Sequence, residues 1–435
     1  CPQDFKSGVS TYSTTRASSC REIQNYALFL NYQKFKLVSL CTDLNLNLIQ
    51  MVTVSTVKTK KELESFIRFP EELFKNHPLW VPPLRMDERN TLKKSAPAFR
   101  HCDAEYFLAY KDGKIAGRVA AIINHVANTD WKEKVVRFGW IDFIDDYEVS
   151  AALIKAVVDW GKEREMEYIK GPLGFSDMDK EGLLVEGFDK LPSITCIYNY
   201  PYYVDHIEKL GFSKDIDWTQ DIIDIPEALS EKMTRFEEVI KERYGYTVMY
   251  PKRNSEYRKR GKEIFDVMNR SFTVLYEYSR LNDEQIQDYV NQYLPFVSRD
   301  LICIILDKND KIVGFAVTIP SLSKAFRKAN GKLFPFGFIH ILRALKRNDL
   351  LEALLIGIDP EHQGKGLSAV IFNHILRSAK KYGLKKMVMN PRLETNRKVR
   401  AIFDEFNPQL YMRRRCYKAN LNTVEQTIST SSSQM

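Results

Sequence analysis

The stretch Glu352-Ala353-Leu354-Leu355-Ile356-Gly357-Ile358-Asp359-Pro360-Glu361-His362-Gln363-Gly364-Lys365-Gly366-Leu367-Ser368 runs from a short apolar segment through a glycine-rich turn into a helical pattern. Leu354 to Ile358 is β-prone, and Asp359-Pro360 ends it, because proline brings no donor to a ladder and starts turns readily. Beyond Gly366, apolar residues recur at Leu367, Val370, Ile371, Ile375 and Ala379, the spacing of one helical face. Gly364 and Gly366 therefore fall at a helix N-terminus, where unpaired N–H groups and the helix dipole attract an anion. Glycine there lets the backbone approach a phosphate and adopt positive φ. A pyrophosphate is the natural guest; the plainer alternative is an ordinary glycine-rich strand-to-helix connection.

Two common phosphate loops do not fit. A Walker loop needs Gly-Lys followed by Ser or Thr, and a dinucleotide turn needs Gly-x-Gly-x-x-Gly. Here Lys365 is followed by Gly366, and the third glycine is missing. The stretch instead resembles the pyrophosphate loop of the GNAT superfamily of acyl-CoA-dependent N-acyltransferases, Gln/Arg-x-x-Gly-x-Gly/Ala behind a strand that ends in an Asp-Pro-Glu-type turn. Gln363, Gly366 and Ser368 stand at the three motif positions, and only Ser368 departs, by another small residue.

The 435 residues suit two domains with a core each. Lys and Arg number 65 against 56 Asp and Glu, a net +9 that is interspersed rather than gathered. That favours a mildly basic enzyme over a dedicated nucleic-acid binder, and a modest positive field suits an anionic co-substrate. Seven scattered cysteines without a Cys-x-x-Cys pair argue for a reducing compartment and against structural zinc. The seven histidines lack paired metal spacing, so no metal is expected. The longest apolar run, Leu333 to Leu345, is broken by Pro335, Gly337, His340 and Arg343, so no membrane span is expected and a cytoplasmic location follows.

Residues 1–50 open without methionine, carry a Ser/Thr cluster at 10–19 and show no core periodicity, so they read as a leader that is disordered or non-native. From Met51 the pattern gives a strand (52–57), a helix (60–69), a hairpin (106–110 and 115–124) around Asp112-Gly113, a strand (137–143), a helix with Val149, Leu153, Val157 and Trp160 on one face, and a helix (203–210) stopped by Gly211. A similar order recurs after Pro226: strand (246–250), helices (257–270 and 282–296), hairpin (301–306 and 312–319), the opening stretch, strand (386–389), helix (396–406) and strand (410–418). Lys111-Asp-Gly-Lys-Ile-Ala-Gly117 and Lys308-Asn-Asp-Lys-Ile-Val-Gly314 are near copies. The pattern reads as a duplication with a period of about 200 residues, too long for a solenoid. The fold class expected is α/β with a mixed sheet, in two tandem GNAT-like domains at 51–225 and 226–420, followed by a Ser/Thr-rich tail, 421–435, expected to be disordered.

The resemblance covers most of the chain after Met51, strongly in the second copy and weakly in the first. Where the second copy has its glycines, the first has Phe143-Ile-Asp-Asp-Tyr-Glu-Val-Ser150, with three acids that would repel a pyrophosphate. One working cofactor site is expected, in the C-terminal half. The Leu333–Phe338 segment, Ile341–Lys346 and Glu394-Thr-Asn396 resemble a group of bacterial two-domain GNAT proteins.

The resemblance implies that the backbone of Ile356, Gly357 and Ile358 pairs with the pantetheine of acetyl-CoA or a longer acyl-CoA, that Gly357 permits close approach, and that Gln363, Gly364, Lys365, Gly366, Leu367 and Ser368 cradle its pyrophosphate. Asn396 matches the helix-start asparagine that contacts CoA in relatives, and it would also serve as an N-cap. Acyl transfer to an amine further needs a base and a proton for the thiolate. Glu352, at the strand start, is the candidate base, since a carboxyl in a partly dry cleft titrates towards neutrality; a merely solvated strand-end charge is the alternative. The usual tyrosine acid position holds Phe403, which cannot donate a proton. Either another tyrosine, Tyr411 or Tyr417, reaches the sulfur, or solvent supplies the proton, or the site binds acyl-CoA without turning it over; Tyr417 is taken as the catalytic acid. The aromatic segment Phe334–His340 reads mainly as core, with a wall of an acceptor or acyl pocket as the alternative.

The function expected is N-acetyl or N-acyl transfer from acyl-CoA to a small-molecule or peptide amine, without metal or nucleic acid. A non-catalytic acyl-CoA sensor or scaffold and a FemX-like aminoacyl transferase are the rivals.

Overall fold

The computed structural model describes residues 52–251, 253–293, 297–396 and 406–432; the expected leader lies outside them. The chain divides into two units, Cys1–Thr53 with Tyr110–Lys114, and Val54–Ala109 with Ile115–Met435. In the first, Asp112 and Gly113 both have positive φ, 53° and 72°, as a two-residue hairpin turn requires. The second carries almost all of the described elements.

Fourteen strands are described: β1 (Thr53–Thr56), β2 (Cys102–Lys111), β3 (Lys114–Asn124), β4 (Val135–Phe143), β5 (Tyr168–Gly171), β6 (Leu183–Glu186), β7 (Ser213–Asp224), β8 (Thr247–Val248), β9 (Ile302–Leu306), β10 (Ile312–Pro320), β11 (Leu350–Ile358), β12 (Lys386–Val388), β13 (Arg392–Leu393) and β14 (Gln409–Asn420). They form one mixed sheet in the order β1-β2-β3-β4-β5-β14-β7-β12-β11-β10-β9-β8, with β13 on β7 and β6 on β14.

The repeat read from the sequence is visible in this order. Each half builds an antiparallel meander whose last strand then pairs in parallel with the strand after a crossover helix: β4 with β5 over Val135–Arg137, and β11 with β12 over Leu350–Glu352. Three paired residues leave the rest of β4 and β11 free to diverge from the neighbour. The halves also trade their last long strands. β7 pairs with β12 of the second half, and β14, near the end of the chain, lies between β5 and β7.

Local sequence explains the crossover helices. In Leu367–Lys381 the expected face, Leu367, Val370, Ile371, Ile375 and Ala379, is buried against Leu351, Ala353 and Val313 of the sheet and against Ile240 of the helix Glu231–Tyr244. Burying each of the Leu, Val and Ile side chains contributes about 1.5–3 kcal/mol. The helix Tyr147–Lys162 buries Val149, Leu153, Val157 and Trp160 in the same manner.

Three expectations differ from the structure. The 257–270 segment forms two helices, Asn254–Lys259 and Gly261–Phe272. Most of the tail expected to be disordered, Leu421–Ser432, is a helix: composition missed its period, since Leu421, Val424 and Ile428 share one face and are buried. It lies on the Tyr147–Lys162 helix, where Lys162 pairs with Glu425 at 2.5 Å. The rings of Phe334 and Phe336, read mainly as core, are 70% and 69% exposed.

No described helix is long and apolar enough to cross a membrane.

Candidate active site

The site is built on β11 and the turn that follows it. Pairing with β10 runs the length of β11, from Leu351 opposite Pro320 to Ile358 opposite Gly314. On the other side β12 reaches only Leu350–Glu352. Beyond Glu352, that edge of β11 is paired by no strand among the described residues. Gly357 is needed on its own account, because a Cβ there would lie 2.5 Å from Phe315 Cε1 and 3.0 Å from Ser271 Oγ. The room that glycine leaves on this face of the sheet is taken by Phe315.

After Ile358 the chain turns on Asp359. Its N–H donates to Val313 O, and its carboxylate accepts from Glu361 N and from Arg270, 2.9 Å from Nε and 2.7 Å from Nη2. Gln363 Nε2 donates to Ile358 O at 3.2 Å, tying the loop back to the strand end. Gly364 and Gly366 have φ of 75° and 82°, the left-handed region. A Cβ on Gly364 would meet nothing, but one on Gly366 would lie 2.7 Å from Ile240 Cδ1. The helix starts at Leu367 without a side-chain cap. Gln363 and Gly364 are exposed, Lys365, Gly366 and Ser368 half-buried, and Leu367 is sunk in the core. An uncapped helix start at the surface, on a loop with two left-handed glycines, is a seat for an anion.

The first half lacks this seat. Its helix Tyr147–Lys162 is capped by its own carboxylate, Asp146, which accepts from Glu148 N at 3.0 Å and Val149 N at 3.3 Å. Phe143, where β4 ends, is closed over by aromatic side chains: its carbonyl accepts from Tyr202 and its ring stacks on Tyr203 at 4.2 Å.

Glu352 lies at the near end of the same strand and is 1% exposed. Ser321 Oγ donates a short hydrogen bond to Oε1, Ser323 Oγ lies 3.4 Å from the same oxygen, and Ser193 also bonds the carboxyl. Among the described residues Oε2 has no hydrogen-bond partner. Burial pushes the carboxyl from 4.5 up to about 7, against the opposing pull of the three serines. These serines belong to no motif. The sequence signal for two of them is register: Ile319 sits opposite Glu352, which brings the following Ser321 and Ser323 over the carboxyl.

The two tyrosines separate. Tyr411 feels the Glu352 charge and is pushed up to about 12, chiefly by burial; its hydroxyl donates to Leu191 O at 2.8 Å. Tyr417, expected as the proton donor, donates instead to Glu208 Oε1 at 3.0 Å and is fully buried on β14 where it pairs with β5. The strand exchange commits Tyr417 to the first half, and the structure does not bring it to Glu352. Asn396 is half-buried, with its N–H on Leu393 O. Phe403 and most of the helix expected from Asn396 lie outside the described residues. No group of three or more potential metal ligands occurs among the described residues.

The second half thus carries a meander, a parallel strand pair joined over only three residues, and a glycine-rich helix start beside the edge unpaired among the described residues. Residues 262–407 match the model of the acetyltransferase (GNAT) family. The chain is similar to Protein YghO of Escherichia coli K12, 28% identical over 377 residues that cover 85% of this chain and 95% of that protein. It is also similar to the bacterial ceramide synthase of Caulobacter vibrioides, 26% identical over 323 residues, 72% of this chain and 82% of that one. Among solved structures, a fungal GCN5-related glucosamine N-acetyltransferase region within a multi-domain β-N-acetylglucosaminidase superposes with a TM-score of 0.51 at 13% identity, over 85% of this chain and 38% of that one.

Proposed function

We propose that the protein transfers an acyl group from acyl-CoA to an amine, with the GNAT-like domains at 51–225 and 226–420 and the working site in the second. The observation that carries this reading is Glu352: a buried carboxyl near neutrality, with one oxygen that has no partner among the described residues, on the strand that leads to the glycine loop. Six residues separate it from Ile358, about 20 Å at strand rise, the length scale of an extended pantetheine arm. Leu367 and Ser368, with the glycines before them, supply N–H groups for the pyrophosphate, Gln363 and Lys365 flank it, and the edge at Ile356 to Ile358, which no described strand pairs, receives the arm.

In this reading the amine nitrogen bonds to the thioester carbon and sheds a proton to Glu352 Oε2, while N–H groups on the open edge of β11 hold the oxyanion. The carbon–sulfur bond then breaks and Glu352 returns the proton to sulfur. That return runs downhill, because an ordinary thiol titrates near 8.5, above the Glu352 carboxyl. No tyrosine acid is needed, and Tyr411, held by Leu191 O and pushed up to about 12, is a poor one. The name of the Caulobacter relative supports amide formation, since a ceramide is the N-acyl derivative of a long-chain amino alcohol.

The test is free-thiol release from acetyl-CoA and from long-chain acyl-CoA across a panel of amines that includes a long-chain amino alcohol. Release that depends on the amine and is lost in Glu352→Gln supports the reading. CoA binding without release for any amine would leave an acyl-CoA sensor.

A further inference from the structure

One surface of the second half is unaccounted for by CoA or by the proton path. Between the helices Ser323–Ala329 and Gly337–Lys346 the chain passes through Leu333-Phe334-Pro335-Phe336, and the second helix continues with Phe338, Ile339 and Leu342. All five large apolar side chains, Phe334, Phe336, Phe338, Ile339 and Leu342, are exposed. Phe334 and Phe338 touch each other, with ring centroids 5.9 Å apart. The opposite face of the helix is already used: Ile341 is buried against Val81, Leu84, Leu322 and Phe326, with Ala344 and Leu345 packed beside it. The link is held close to the helix, because only a glycine at 337 tolerates Lys332 O, which a Cβ would meet at 1.9 Å.

Charge is as one-sided as the apolarity. From Ser321 to Asn348 the sequence has Lys324, Arg327, Lys328, Lys332, Arg343, Lys346 and Arg347 and not one Asp or Glu. All seven are exposed. Lys324 lies 3.9 Å from the Asp349 carboxylate at the edge of the patch. On the second helix Phe338 and Leu342 form one stripe, and Arg343, Lys346 and Arg347 follow on the stripe beside it, away from the core. Aromatic and aliphatic side chains ringed by cations, on a helix too short to span a bilayer, have the composition of an interfacial anchor.

We infer that this surface docks on an anionic lipid bilayer, with Phe334, Phe336 and Leu342 entering the headgroup boundary and the cations meeting lipid phosphates. A protein partner would need carboxylates to match seven cations around exposed rings; an anionic membrane supplies both the negative field and the apolar phase. The patch adjoins the base, since Ser321 and Ser323, at the start of the same segment, bond the Glu352 carboxyl. Resting on the acyl-transfer reading, the consequence is that the acceptor amine is a lipid taken from the docked leaflet.

The experiment is sedimentation of the full chain with phosphatidylglycerol-containing vesicles and with pure phosphatidylcholine vesicles, at low and high salt. Expected are binding to the anionic vesicles, loss of it at high salt, and a drop of at least about tenfold in partitioning for Phe334→Ser with Phe336→Ser. A second variant, Lys346→Glu with Arg347→Glu, should weaken binding while leaving thermal unfolding unchanged, as exposed positions allow. No binding to anionic vesicles, equal binding by the Phe variant, or a concentration-dependent dimer abolished by that variant overturns the inference. Thiol release is read separately. The Phe variant should keep activity on a soluble amine and lose it on the same amine presented in vesicles, whereas a protein that binds vesicles but never releases thiol would refute acyl transfer and leave the docking surface standing.

Discussion

Replacing Glu352 by Gln keeps the shape of the side chain and an acceptor for Ser321 while removing the titration. The native carboxyl is half ionised at about 7, so about a tenth of the molecules carry the base at pH 6 and about nine tenths at pH 8. Catalysis that needs this base should show kcat/KM rising about ninefold over that interval, and the Gln variant should lose about 10²–10⁴-fold at the plateau and lose the slope. Stability should move the other way. Because the folded carboxyl titrates above its ordinary 4.5, the native state keeps a proton that the unfolded chain has already released. The contribution is therefore fully present below about 4.5, declines as pH rises through about 7, and is then gone. The displacement from 4.5 to about 7 corresponds to about 3 kcal/mol. The Gln variant, with no charge to bury, should match the native protein near pH 4.5 and exceed its stability by about that amount at pH 8. Urea unfolding at the two pH values, beside thiol-release kinetics from pH 5.5 to 8.5, measures both. A variant with an unchanged pH–rate profile would remove Glu352 as the base. A stability gap that is the same at pH 5 and pH 8 would refute the buried, near-neutral carboxyl itself.

Gly366→Ala should destabilise the fold more than Gly364→Ala, since both put a side chain at positive φ at a cost of about 1–2 kcal/mol but only Gly366 would also strike Ile240. CoA titration calorimetry should show the larger loss of affinity in the same variant. Tyr417→Phe should cost about 1 kcal/mol of stability through the lost bond to Glu208, with thiol release unaffected; a large fall in kcat would return Tyr417 to the chemistry. Asp146→Ala should lower stability by about 1 kcal/mol through the lost cap, and calorimetry should still find one CoA site per chain.

The elements set by local periodicity and turn chemistry could be read in advance: the helix from Leu367, the Asp112-Gly113 hairpin, the glycine turn and the helix start without a side-chain cap behind it. So could the duplication, through the paired Lys-Asp-Gly-Lys and Lys-Asn-Asp-Lys turns. What could not be read were relations between distant segments. Ser193, Ser321 and Ser323 converge on Glu352 through the β10–β11 register and a loop from the first half, and no spacing rule connects them. Tyr417 was misplaced for a related reason: in a self-contained domain the last strand would lie beside its own β12, but here β7 takes that place. The Leu421–Ser432 helix was hidden by its Ser and Thr content, since three apolar residues at 421, 424 and 428 are a faint stripe until a partner helix shows which face is inward.

That exchange of strands has a consequence for how the molecule is made. Gly171 pairs in register with Tyr417, so the amino-terminal sheet stays open at one edge until the ribosome has delivered β14, about 240 residues after β5. Loops this long close slowly, and during synthesis the raw margins of β5 and β7 are available to wrong partners. A cut at residue 225 therefore yields no independent module: each fragment would lack the strand that seals it, and only co-expression of both pieces should restore a sealed sheet.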